Sequence, residues 1–147
     1  MSLRLAVRGL LLLDDRLLMV NAWPGGKSDL LCAPGGGVEI HASLEDNLKR
    51  EMHEETGLTV AVGEVALVNE FHDPDRPFHQ VDVYFRCELL DGDPYGDWTD
   101  PEGVVNERHW LTREALATHR YRPGSLPDVA WSSGGPAYYD TLEPILR

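Results

Sequence analysis

Between positions 34 and 57 the chain has little conformational choice. Pro34-Gly35-Gly36-Gly37 is a turn-forming run that a helix could not accommodate, because proline lacks the amide donor and glycine has too much freedom to lose. Shortly afterwards Ser43 is placed to cap a helix over residues 43–56, and Gly57 sits where such a helix stops. On a wheel of roughly 100° per residue with Glu51 at zero, Leu44, Leu48 and Met52 fall at about 20°, 60° and 100° and form a core-facing stripe. Glu54, Glu51 and Glu55 fall at about −60°, 0° and 40° on the same wheel. The carboxylates therefore lie beside the apolar stripe and partly within it. A merely solvated acidic face would point the other way, as Glu45, Asp46, Lys49 and His53 do.

Like charges at i, i+3 and i+4 repel even when exposed. Crowded at the edge of a core, they must take up protons or find a cation. A hard divalent ion with oxygen ligands meets that need, and Mg²⁺ or Mn²⁺ suits carboxylates combined with a phosphate.

Around this segment, Arg4–Leu13 and residues 17–22 read as a β-hairpin about Asp14-Asp15-Arg16. Residues 23–29 read as a loop, 30–33 as a short strand, and 59–70 and 79–89 as longer ones. In the last of these, Val81, Val83 and Phe85 share one face, and Asp82, Tyr84 and Arg86 the other. Residues 91–103 form a Gly/Pro/Asp-rich loop, 104–111 a final strand, 112–119 a helix capped by Thr112, and 138–146 a further helical segment. The pattern predicts an α+β domain over residues 1–147, a mixed sheet sandwiched between helices.

A formal net charge of −12 argues against nucleic-acid polymers and anionic membranes as partners. It leaves room for a small phosphorylated substrate if divalent ions bridge the two. The leucines at 10–13 end at Asp14 and Asp15 with no cleavage site behind them, so they read as strand rather than signal peptide. Two cysteines, Cys32 and Cys87, without a CxxC pair, fit a reducing cytoplasm.

Residues 36–58 resemble the Nudix box, G-x5-E-x7-R-E-U-x-E-E-x-G-U, where U is a bulky aliphatic residue. Gly36 supplies the first position and Arg50-Glu51-Met52-His53-Glu54-Glu55-Thr56-Gly57-Leu58 the second half, so that eight of nine specified positions match. Ala42 stands where the family has glutamate, and His41 where a glycine commonly precedes it. The residues of β-hairpin 4–22 and Glu107-Arg108-His109-Trp110-Leu111 also resemble Nudix segments.

The resemblance implies a Nudix-type α/β/α sandwich with a mixed β-sheet. It also implies a hydrolase that directs water at one phosphorus of a nucleotide-linked diphosphate. Glu51, Glu54 and Glu55, with the Gly36 carbonyl, are then expected to hold Mg²⁺ or Mn²⁺, and Arg50 to orient a carboxylate. The general base is expected to be a box glutamate or a later loop acid, with Glu102 placed ahead of Glu70 and Glu107. The absent glutamate at 42 bears on the rigidity of the loop–helix junction, which Glu39 is positioned to support.

For substrate, Trp23, Phe71 and Trp98 are expected to stack a base, with Phe78 as a further aromatic, and Lys27, His79, His72, Arg76 and Arg8 to meet phosphate. The expected partner is a small nucleotide; a homodimer is left open. A Nudix-fold binding module with weak or no turnover is the second reading. A calcium-binding acidic protein is a third, and the chain lacks the D-x-[DN]-x-[DN]-G loop it would need.

Overall fold

A computed structural model describes residues 2–147. The chain runs β1 (Arg4–Leu13), β2 (Arg16–Asn21), β3 (Leu31–Cys32), β4 (Gly35–Gly37), α1 (Leu44–Thr56), β5 (Thr59–Asp73), β6 (Phe78–Asp91), β7 (Arg108–Leu111), α2 (Arg113–Leu116), α3 (Leu126–Ala130) and β8 (Tyr138–Pro144). The sheet follows the order β3-β2-β1-β6-β5-β8, with β4 added beside β1 and β7 beside β2. It is mixed: β1 runs parallel to β6 and β5 parallel to β8, while β5 and β6 are antiparallel.

Each local feature has an identifiable cause. The β1–β2 hairpin closes on Leu13↔Arg16, and its two loop residues, Asp14 and Asp15, both take positive φ (51° and 63°). That geometry matches the twist of the flanking strands, and aspartate tolerates it better than most side chains. Helix α1 begins as its sequence signals: Ser43 accepts from the Asp46 amide at 3.0 Å, and Gly57 ends the helix at φ 74°.

On β1, Val7 and Leu11 face α1 and join Leu48, Met52 and Phe85 in one core. Leu10 faces the opposite side and joins Met19, Leu67, Tyr84, Leu116 and Leu126 in a second core beneath α2 and α3. Two cores, one on each face, make the α/β/α sandwich.

Four expectations are corrected. Gly35–Gly37 is not a turn but β4, paired with Ala6, Val7 and Arg8 of β1. A Cβ on Gly35 would lie 1.9 Å from the Val7 carbonyl oxygen, so the glycine permits a backbone approach no other residue allows. Residues 138–146 are not helical; Tyr138–Pro144 adds a strand to the open edge of β5. The strand expected over 104–111 shrinks to Arg108–Leu111, since side chains hold the four residues before it. The Asp100 carboxylate accepts from the Val104 and Val105 amides, and Asn21 Oδ1 from those of Asn106 and Glu107. The helix over 112–119 is one turn, Arg113–Leu116, capped by Thr112, and α3 follows it unforeseen. Among the described residues, no helix is long and apolar enough to cross a membrane.

Leu48 is fully buried between α1 and the sheet. Leu48→Ala is expected to destabilise the fold by about 2–5 kcal/mol, the usual range for a core leucine. Urea unfolding should show a lower midpoint at unchanged slope.

Candidate active site

A cavity of about 550 Å³ opens where β4 and the C-terminal half of α1 meet the strands. Its wall includes Gly36, Glu51, Glu55 and Glu102. Helix α1 delivers Glu51 and Glu55 one turn apart on the same side. Glu55 accepts from the Gly35 amide at 2.8 Å, tying the helix end to β4. A Cβ on Gly36 would fall 2.6 Å from the Glu51 carboxyl, so the carboxylate rests directly on glycine backbone.

Burial dominates the electrostatics. It pushes the Glu55 carboxyl up to about 7, against the opposing pull of Arg8 and of the Gly35 amide. Glu51 is raised too, by burial first and by Glu54, while its bond from Arg50 works the other way. Two carboxylates raised by burial and facing one cavity are a donor set that a hard divalent cation fits. Glu54 stands just outside the wall, with its Oε1 3.7 Å from Arg50 Nε. Among the described residues, no three His, Cys, Asp or Glu side chains already converge as a metal cluster. Glu51 and Glu55 are the two box acids that face the cavity together.

Arg50 spans the acids. Its Nη2 donates to Glu51 at 3.1 Å, and Nη1 to Glu39 at 3.3 Å and to Asn47 Oδ1 at 2.9 Å. Asn47, fully buried, also accepts from the Glu39 amide at 2.9 Å and donates to the Ser43 carbonyl at 2.8 Å and to that of Ala42 at 3.3 Å. The loop–helix junction at Ala42 is thus held by Asn47 and Glu39. His41 takes φ 70°, a left-handed conformation glycine would adopt without strain.

Glu102 is set on the cavity by Asp100, whose Oδ1 accepts from the Glu102 amide at 2.9 Å. The alternatives lie elsewhere: Glu70 binds His79 and Tyr139, and Glu107 is exposed. Trp23 and Phe71 line the cavity, as do Phe78, Arg76 and Arg8. Lys27 is exposed on its loop and His79 pairs with Glu70 at 2.9 Å; neither is in the wall. Trp98 closes the end of α1 instead. Its Nε1 donates to the Glu54 carbonyl at 2.8 Å, and its ring meets His53 edge-on at 5.4 Å. His72 also lies outside the wall, beside His79.

Sequence reasoning missed Arg4, Gln80 and Asp82, and with them Arg122 and Arg147. Arg8 Nε lies 3.4 Å from the buried Asp82 carboxylate, and Arg4 donates to Gln80 at 2.6 Å. A signal was available: Arg4 and Arg8 alternate in phase on β1, as Gln80 and Asp82 do on β6, marking one polar strip across the two strands.

A family model described as the NUDIX domain matches residues 2–131. The chain therefore belongs to the NUDIX domain family. It is similar to the ADP-ribose pyrophosphatase of Methanocaldococcus jannaschii, 28% identical over 88 residues, which is 60% of this chain and 52% of that protein. The 8-oxo-dGTP diphosphatase of Escherichia coli (strain K12) is 29% identical over 97 residues, 66% of this chain and 69% of that one. A further relative from Bacillus subtilis (strain 168) is matched over 41% of its length, so the chain spans about half of the first relatives it resembles. The fold is that of a crystallised UDP-X diphosphatase, with TM-score 0.72 and 20% identity over 97% of this chain and 68% of that one. It is equally that of a MutT NUDIX hydrolase from Burkholderia pseudomallei, with TM-score 0.71 and 18% identity over 90% of this chain and 100% of that one.

The raised Glu55 carboxyl makes a stability prediction with a definite sign. Its folded pKa of about 7 lies above the ordinary 4.5, so the native state holds the proton that the unfolded state releases. Glu55 thus makes stability fall as pH rises from about 4.5 to 7. In excess chelator, Glu55→Gln should remove that part of the slope and raise the melting temperature at pH values above this window. Parallel melting-temperature profiles for the two proteins would disprove it.

Proposed function

We propose that the protein hydrolyses a phosphoanhydride bond in a small nucleotide, either a nucleoside di- or triphosphate or a nucleoside diphosphate linked to another group. One observation carries the proposal: Glu51 and Glu55, their pKa values raised by burial, share a cavity wall with Glu102 and with arginines suited to phosphate. Family membership and the named activities of the relatives support it.

Glu51 and Glu55, with Glu54 beside them and the Gly36 backbone, would hold Mg²⁺ or Mn²⁺. When bound, such an ion neutralises phosphate oxygens and lowers the pKa of a coordinated water. The side chains supply the rest. Arg50 fixes the direction of the Glu51 carboxylate through its 3.1 Å bond. Glu102, on a backbone held by Asp100, takes the proton from the attacking water. Arg8 and Arg4 meet the charge of the bound phosphates from the sheet side of the cavity. Two free, buried cysteines support a reducing, cytoplasmic setting.

The test is a product screen over a nucleotide library with Mg²⁺ and with Mn²⁺. Turnover should require the cation and vanish in chelator. Glu102→Gln should lower kcat by about 10²–10⁴, the usual share of a general base, while metal affinity stays put. Turnover that persists in chelator would sink the metal-dependent mechanism. Metal-dependent nucleotide binding with no product across the library would favour the binding module instead.

A further inference from the structure

The cavity has a second chemical character away from its carboxylates. Its wall carries five arginines of the chain's 13 basic residues, but only four of its 25 acidic ones. Most of those arginines are answered. Arg8 is ion-paired with Asp82, though its Nε makes no hydrogen bond, Arg4 donates to Gln80, and Arg147 Nη2 lies 2.9 Å from Asp73.

Arg122 is not answered. It is 9% exposed, and no described carboxylate pairs with it. Its guanidinium carbon lies 5.1 Å from the Phe71 ring centroid and 5.9 Å from that of Trp23. Ring faces offset part of a cation's charge but accept none of its N–H bonds well. Accordingly Arg122 Nη1 is buried without a hydrogen-bond partner, and so is Trp23 Nε1 beside it. A buried donor left unpaired bears its full desolvation cost, and a cationic one bears more. The backbone holds this arrangement in place: the Arg122 amide donates to the Leu31 carbonyl at 3.2 Å, and Leu31 donates back to Arg120 at 2.9 Å.

Two orphan donors on adjoining side chains, one of them a cation met by ring faces rather than by a carboxylate, suit an anion. From these we infer that Arg122 and Trp23 form a subsite for a further anionic group, a phosphate monoester or a carboxylate, carried by the substrate away from its scissile diphosphate. Arg122 and Trp23 line the same cavity as Gly36, Glu51 and Glu55, so one bound ligand can reach both groups. The inference deepens the hydrolase reading, yet it concerns groups that act without metal or turnover.

The test uses the full chain, ¹⁵N-labelled, in excess chelator and at constant ionic strength. Orthophosphate and acetate are titrated separately while the four tryptophan indole N–H signals are followed, with Trp23→Phe assigning the relevant one. The Trp23 signal should shift saturably with phosphate, with acetate, or with both, and this identifies the class of anion. Arg122→Gln should weaken the response at least tenfold, about 1.4 kcal/mol, while Arg122→Lys keeps part of it. A Trp23 signal unmoved by either anion overturns the proposal, as does an equal response in Arg122→Gln. Should that variant fail to fold, the wild-type response still decides. Because no metal is present, this result stands or falls apart from the nucleotide screen.

Discussion

The contact between β4 and the C-terminal half of α1 organises everything else near the cavity. Three successive glycines let the backbone of β4 lie against β1 on one side and against glutamate carboxylates on the other. The Gly35 amide holds Glu55, and the Gly36 Cα makes room for Glu51. Without that bare strand the helix could pack its leucines, but its acids would have no surface to approach so closely. The geometry is costly for the carboxylates, which is why burial raises both. A fold that tolerates such a cost without a cation gains stability when a cation arrives.

The charge distribution follows the same logic at larger scale. A chain of net charge −12 would repel a polyphosphate from most of its surface. Here the strands bring arginines from β1, from the β5–β6 turn and from the C-terminal third onto one cavity opposite the acids. Arg8 gains fixed geometry from Asp82, while Arg122 is left between aromatic rings with charge to spare. Carboxylates for a cation and arginines for anions then share one concave surface, the arrangement a bridging metal and a phosphorylated ligand both need.

What was legible in the sequence was what local chemistry dictates. Ser43 and Gly57 marked α1 because capping and left-handed termination depend on the residue itself. The phase of Glu51 and Glu55 against Leu48 and Met52 was likewise readable, since helical periodicity is local. Where neighbours decide, the reading failed. Tyr138, Leu142 and Ile145 recur at helical spacing, yet the open edge of β5 draws this segment into a strand. Residues 104–107 have strand-like valines, but Asp100 and Asn21 take their amides first. Trp98, expected beside a base, lies at the end of α1 with its Nε1 on the Glu54 carbonyl, outside the cavity wall. Arg122 carried no sequence signal, because its burial is set by a backbone exchange with Leu31 far away along the chain.

On the proposed function, the glycine surface of β4 positions the box carboxylates for a divalent cation. Titration calorimetry of Mg²⁺ or Mn²⁺ into Gly36→Ala tests it most directly, since the new methyl would displace the Glu51 carboxyl from 2.6 Å. The expected result is at least a tenfold loss of metal affinity, about 1.4 kcal/mol, with a cooperative thermal transition retained in chelator. A folded Gly36→Ala protein that binds the cation as tightly as the wild type would contradict this role of β4.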